Sequence, residues 1–452
     1  MIHHLKSSEK TKNIFLSTFK TLGIASMLRK ASIRKDQGHS TYEVFKFLLL
    51  LVFQEKNLFR FLESKRSYQA VSKNTYYRFL NNSTYNWRKF LSLLSAKVIS
   101  AFSKLTRADR VNVLILDDSI VPRGRSKKVE LLAKVFDHTS SKYQKGFTML
   151  TLGWSDGYSF VPTDFAMLSS SKSSNRLNEV DPEIDKRTNG FKRRKEAMSK
   201  KTNVAVDLIK NTLAAGICAD YVLMDTWFTH EPLIQAILEQ GLHVIGMVKQ
   251  LKQKYRYNDK YYTMKELKRF VPKRSNSNIL GSLIVHTKNG IPVKLVYVVN
   301  RNKRSEWLVI LSTDLSLSDD EVVRIYGNRW SIEVFFKSVK SLMKLGSEFQ
   351  GRSYDQTISH TTIVYSRYIL LEWFRREERD ERTFGEIFYI MCDDIRDMDL
   401  ETALQNLMSL FVEQLNIAKS TTTNSIKCQL QHWISEQASF IKVLFADLCW
   451  ES

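Results

Sequence analysis

From Val111 onward the chain carries short apolar runs that end in turn residues or charges: VNVLILDD (111–118), VELLAKVFDH (129–138), FTMLTLGW (147–154) and SFVPTDFAM (159–167). Runs of this length, separated by Gly, Ser and basic residues, read as strands of one sheet. Next come YVLMD (221–225), a helical stretch from about Thr229 to Glu239, and HVIGMVK (243–249). A strand–helix–strand unit lays two strands side by side and parallel, so the centre of the chain is predicted to be α/β with a mixed sheet. Residues 1–105 instead show apolar positions at three and four spacings and read as a small helical region. Residues 250–316 break the α/β pattern with LIVHTK, VKLVYVVN and EWLVILST among many Lys and Arg, which reads as an inserted β-rich subdomain. From Ser318 the pattern is helical again, with one long helix expected from Asp319 to about Leu345.

Charge narrows the partner. Lys and Arg number 69 against 47 acidic residues, a formal net charge of +22 over 452 residues. That excess favours a polyanion, with double-stranded DNA the first candidate and a membrane surface the second. The longest apolar run, Phe47 to Phe53, is far shorter than the roughly 20 residues that span a bilayer, so no membrane partner is expected. The opening MIHHLKSSEKTKNIFLS has no continuous apolar stretch and no small-residue cleavage site, so no secretory signal is read. Cys218, Cys392, Cys428 and Cys449 form no C-x-x-C pair, which argues against a zinc knuckle or a disulfide framework and fits a cytoplasmic, nucleoid-associated protein.

Two segments carry the side chains that would grip nucleic acid. Ser72 to Leu80 reads as a Ser-capped helix bearing Lys73, Asn74, Thr75, Tyr76 and Arg78; it is either a recognition helix or an ordinary amphipathic one. Lys186 to Lys201 is densely basic, with Lys192, Arg193 and Arg194 at its centre, and leads into a helix near Glu196 to Ala215. Such a run is a solvated face by itself and a phosphate rail beside a DNA-cutting site.

Two aspartates close apolar strands: Asp117 after VNVLIL and Asp225 after YVLM. Strand C-termini are where α/β sites are assembled. A third acid, Glu333, lies on the long helix. Three carboxylates without Cys or His ligands suit a hard cation such as Mg²⁺, with Mn²⁺ as a substitute, and two such ions serve phosphodiester chemistry. Asp117 and Asp118 are adjacent and point to opposite faces of a strand, so the first ligand is Asp117 or Asp118; Asp117 is chosen because Ser119 then completes D-x-S.

Within YGNRWSIEVFFKSVK, Tyr326, Arg329, Glu333 and Lys340 fall at i, i+3, i+7 and i+14, one narrow stripe of a helix beside its apolar face. This Y-x2-R-x3-E-x6-K spacing resembles the Y-R-E-K motif of the insertion-sequence-four family of bacterial DDE transposases; LDDS (116–119) and MDTWF (224–228) resemble that family's first and second aspartate segments. The resemblance covers roughly residues 110 to 375. It implies an RNase H-like core carrying the β insertion and a helical N-terminal domain that binds element ends. It also implies cut-and-paste chemistry through a DNA hairpin, paired protomers, and a stacking tryptophan in the insertion, for which Trp307 is the candidate; Trp307 also reads as insertion core. The expected division is 1–105 end-binding, 106–249 first core part, 250–316 insertion, 317–375 second core part with the glutamate helix, and 376–452 a helical C-terminal region. There Leu404, Leu407, Leu410, Phe411 and Leu415 form either a dimer interface or the protomer's own core.

Overall fold

Ten strands run across the molecule in one sheet, with an eleventh paired to one of them, as a computed structural model describes it. The described residues are 17–63, 71–106, 110–137, 140–249, 253–272, 278–300, 303–348, 351–377, 382–393, 395 and 432. Residues 17–389 form one compact unit; 1–16 with 390–452 form another, in which only 390–393, 395 and 432 are described. The leucine positions from Leu404 to Leu415 lie outside the described residues.

The strands are β1 (Val113–Pro122), β2 (Ala133–Asp137), β3 (Lys142–Ser155), β4 (Phe160–Leu168), β5 (Tyr221–Met224), β6 (His243–Val248), β7 (Lys254–Tyr257), β8 (Lys260–Thr263), β9 (Ile279–His286), β10 (Pro292–Val299) and β11 (Trp307–Ser312). Their spatial order is β2-β3-β1-β5-β6-β11-β10-β9-β7-β8, with β4 on β3. The long strands β1, β3 and β4 pair antiparallel, whereas β1, β5 and β6 are parallel neighbours. The residues Val113 to Leu116 and Tyr221 to Met224 are all buried, as central strands covered on both faces must be. Every strand read from the sequence is present, and β7 and β8 are additional.

The segment 250–316 does not stand apart. Its last strand β11 pairs antiparallel with β6, from Val309 opposite Val248 to Ser312 opposite Ile245, so the expected insertion extends the central sheet. The β7–β8 hairpin reaches the rest of the sheet through Arg256 opposite His286.

Helices cover the sheet: α1 (Ile24–Lys30), α2 (Thr41–Leu50), α3 (Leu58–Leu62), α4 (Lys73–Leu80), α5 (Trp87–Leu105), α6 (Asn189–Ala197), α7 (Lys201–Ala214), α8 (Glu231–Leu238), α9 (Met264–Leu267), α10 (Asp319–Gly327), α11 (Trp330–Ser341) and α12 (Tyr354–Glu377). One expected helix is broken in two, and another begins later than expected. The stretch from Asp319 to Leu345 pauses at Asn328 and Arg329, where the amides of Asn328, Arg329, Ser331 and Ile332 bond carbonyls three residues back and tighten the turn. The helix expected near Glu196 to Ala215 starts at Lys201 as α7, and the basic run before it forms a helix of its own, α6, with a gap at 198–200.

Helix α12 explains why the N-terminal helices share the compact unit. It is buried on all sides, and its polar groups reach both ways. Tyr365 Oη lies 2.6 Å from Thr151 Oγ1 on β3, and Tyr354 donates to Met167 O on β4 at 2.5 Å. On the other side Ser359 donates to Leu80 O at 2.9 Å and Arg367 to Leu49 O at 2.8 Å. Arg88 of α5 completes the attachment: its guanidinium, 3% exposed, donates to Asp164 of β4 at 2.5 Å and to Glu196 of α6 at 2.5–2.6 Å. Buried charges survive only when paired and hydrogen-bonded in this way.

Candidate active site

Parallel register brings the two strand aspartates together. Leu116 is opposite Met224, so Asp117 and Asp225, one residue further, lie beside each other and point to the same face; Asp225 follows the end of β5, whereas β1 does not end at Asp117 as expected but continues to Pro122. Burial and the neighbouring Asp225 charge push the Asp117 carboxyl up to about 7, against the pull of Arg329 in the opposite direction.

The turn after β5 fixes Asp225. Its Oδ1 accepts from the amides of Trp227 at 2.9 Å and Phe228 at 3.2 Å, while Thr229 Oγ1 donates to its carbonyl at 2.6 Å. This compact turn packs on β6 only because residue 246 is glycine: a Cβ there would sit 2.3 Å from Thr229 Oγ1.

Helix α10 starts at a capping box, Ser318 Oγ accepting from Glu321 N at 3.2 Å and Glu321 Oε2 accepting from Ser318 N at 2.8 Å. The tight turn at 328–329 then delivers Arg329 to the carboxylates. Its Nη1 is 3.2 Å from Asp117 Oδ2, its Nη2 donates to Glu333, and its guanidinium carbon stands 5.9 Å from the Tyr326 ring centroid. Burial pushes the Tyr326 phenol up to about 12; Arg329 opposes that and the Asp225 and Asp117 charges add to it. Lys340, at the far end of the stripe, donates to Ser119 Oγ at 2.5 Å. The stripe therefore survives the helix break, and Tyr326, Arg329 and Glu333 gather at Asp117.

The expected residues do not all converge. Among the described residues no three His, Cys, Asp or Glu side chains lie close enough together to hold a metal ion: Asp117 and Asp225 adjoin, but Glu333 is turned to Arg329. Arg194 is no part of a surface rail. It is 3% exposed, with Nε 2.5 Å from Glu130 Oε1 and Nη2 2.8 Å from Asp355 Oδ2, an internal cation. Arg193 is half-buried and 3.5 Å from Glu196 Oε2, whereas Lys192, Lys195 and Lys200 face solvent. Asp118, the alternative first acid, lies on the other face of β1 with Lys201 Nζ 3.2 Å from both its oxygens. Trp307 begins β11 at the same end of the sheet as Asp117 and Asp225, four residues before Leu311, which is opposite Gly246. Its ring lies 5.4 Å from that of Tyr297 and beneath Lys268 Nζ at 4.9 Å.

Sequence reasoning missed Lys201 and Trp227 as members of this region. Lys201 is the last of a basic run with nothing to set it apart, although Trp227 stands two residues after Asp225 in MDTWF.

The family model for DDE superfamily endonucleases matches residues 40–266, half of the chain, and spans both Asp117 and Asp225. The chain belongs to the DDE superfamily of endonucleases. A second family model, the transposase DDE domain, matches residues 195–361 and takes in Asp225, the tight turn and Glu333. No curated protein matches the chain. Among the described residues no helix is long and apolar enough to cross a membrane.

Proposed function

We propose that this DDE endonuclease is a cut-and-paste transposase resembling the insertion-sequence-four type, which nicks the ends of a mobile element and joins the freed 3′-hydroxyl to new phosphodiester positions. The observation that carries the reading is the juxtaposition of Asp117, Asp225, Arg329 and Glu333 across two adjacent strands and one helix. The order β4-β3-β1-β5-β6, an antiparallel meander followed by parallel strands, supports an RNase H-like core.

The donor chemistry suits Mg²⁺ or Mn²⁺: Asp117 and Asp225 offer only oxygens, and their mutual repulsion is what a divalent cation relieves. Asp117 and Asp225 would hold it, with Glu333 the third donor once released from Arg329. When bound, the ion supplies Lewis-acid stabilisation of the phosphorane-like charge and a more acidic attacking hydroxyl. The chain supplies the rest. Arg329 keeps a cation beside the scissile phosphate, and Lys340, with its ammonium at the protein surface, grips a neighbouring phosphate. Tyr326, whose phenol keeps its proton at neutral pH, donates rather than accepts.

Docking of the duplex draws on the N-terminal helices. Arg34, Lys35, His39 and Arg78 line a cavity of about 590 Å³ with Thr75, Asn81 and Asn82. Arg34, Lys35 and Arg78 are exposed and have no ion-pair partner among the described residues, so their charge is available to phosphates. Cutting two ends in one event calls for two protomers. A hairpin route to second-strand cleavage calls for a displaced base, with Trp307 as its stacking platform. The test is nicking of a duplex that carries the element's terminal repeat: Mg²⁺-dependent nicks followed by joined products support transposition, nicks without joining indicate a plain endonuclease, and no cleavage contradicts the reading.

A further inference from the structure

The ammonium of Lys201, the first residue of α7, touches the neighbours of both strand aspartates at once. Its Nζ stands 3.2 Å from each oxygen of Asp118, the residue after Asp117, and 3.5 Å from the centroid of the Trp227 ring, with the Phe228 ring 5.1 Å away. Trp227 and Phe228 are the residues whose amides hold Asp225 Oδ1, and the Asp118 amide donates to Asp117 Oδ1 at 2.8 Å. One cation thus links β1 to the turn after β5.

We infer that Lys201 is a positioning residue: by bracing Asp118 against the Trp227 turn it sets how Asp117 and Asp225 face each other. The inference rests on the proposed metal-dependent centre at those two aspartates.

Two features separate Lys201 from the basic run it ends. Lys186, Lys192, Lys195 and Lys200 project into solvent, whereas the Lys201 side chain is 18% exposed and that of Asp118 21%. Its charge is already matched by Asp118 and by an aromatic face, so it offers DNA little net charge. A cation held between a carboxylate and an indole is also directional. The ion pair draws on β1 and the ring contact draws on the β5 turn, the two segments whose amides orient the strand aspartates. Side chains that orient metal-binding residues in this way typically govern affinity by about 10–100-fold.

The test removes the brace without changing net charge. Lys201→Met combined with Asp118→Asn deletes one positive and one negative charge, so any change in cation affinity reports geometry rather than local potential. Binding of Mn²⁺ alone is followed by the electron paramagnetic resonance of the free ion, alongside a thermal melt and DNA binding across a salt series in EDTA. The expected result is Mn²⁺ affinity reduced about tenfold, with DNA affinity and its salt slope unchanged, and recovery of affinity in Lys201→Arg. Wild-type Mn²⁺ affinity in the double variant overturns the inference. So does a salt slope shallower by the share of about one phosphate, which would make Lys201 a DNA ligand. If the double variant does not melt cooperatively, Trp227→Leu, which removes the ring and leaves the ion pair, carries the same expectation and the same refutation. A wild-type protein that binds no Mn²⁺ removes the metal-centre reading itself, and the inference with it.

Discussion

Replacing Asp117 by Asn should make the metal-free protein more stable, and the gain should depend on pH in a defined direction. Asp117 is raised from its ordinary value of 3.8 to about 7 by burial and by Asp225. A carboxyl whose folded pKa lies above its unfolded one holds its proton more tightly in the native state. Its presence costs little below pH 4; the cost grows as pH rises from about 4 to about 7 and levels off above that. At 1.36 kcal/mol per tenfold change in proton affinity, the full cost above pH 8 is about 4 kcal/mol, and the side chain is only 15% exposed, so solvent screens little of it. For a unit of this size that is a gain of about 5 °C in Tm for Asp117→Asn at pH 8, shrinking towards zero at pH 4–5. The assay is a series of thermal melts in EDTA from pH 4.5 to 8.5 on both proteins. Equal melting at pH 8, or an advantage that grows on acidification, would show that Asp117 does not face Asp225 unrelieved.

Other consequences can be checked separately. Arg88→Met leaves Asp164 buried without its cation, so stability should fall by about 3–5 kcal/mol in a denaturant titration, and an unchanged midpoint contradicts the internal salt-bridge reading. Gly246→Ala forces Thr229 away from β6 and should reduce cleavage more than DNA binding; equal activity means the Asp225 turn tolerates displacement. Neutralising Arg34, Lys35 and Arg78 together should flatten the salt dependence of DNA binding, by a slope of about 0.9 for each phosphate that is no longer neutralised. Trp307→Ala should melt normally, make the first nick and accumulate it before the hairpin product on a denaturing gel, whereas broad loss of stability assigns the ring to the core beside Tyr297.

The parts legible in the sequence were those with a strong period or a strong end. Apolar runs closing on Asp117 and Asp225 marked β1 and β5, and the 3.6-residue spacing gathered Tyr326, Arg329 and Glu333 although the helix breaks at 328–329. Gly327 and Asn328 stand at that break and are a stop signal that the spacing overrode; hydrogen bonds to carbonyls three residues back create the turn. Arg194 looked like its basic neighbours because the charge of a side chain says nothing about which way its helix faces. Its partners Glu130 and Asp355 are 64 and 161 residues away along the chain. The hairpin β7–β8 was missed because KYRY and KYYT place polar and aromatic residues without a clear apolar alternation. The attachment of the N-terminal helices depends likewise on distant pairs such as Arg88 with Asp164, which no local pattern encodes.

Cleavage of a duplex bearing the element end, run in Mg²⁺ with wild-type protein, Asp225→Asn and Glu333→Gln, tests the central claim most directly. DNA binding by each protein is measured in EDTA on the same duplex. The account predicts Mg²⁺-dependent nicking by the wild type, and in both variants loss of nicking of at least about a hundredfold with binding retained, because each removes a carboxylate from the reacting centre and none of the cations that hold DNA. Near wild-type nicking by either variant would contradict it.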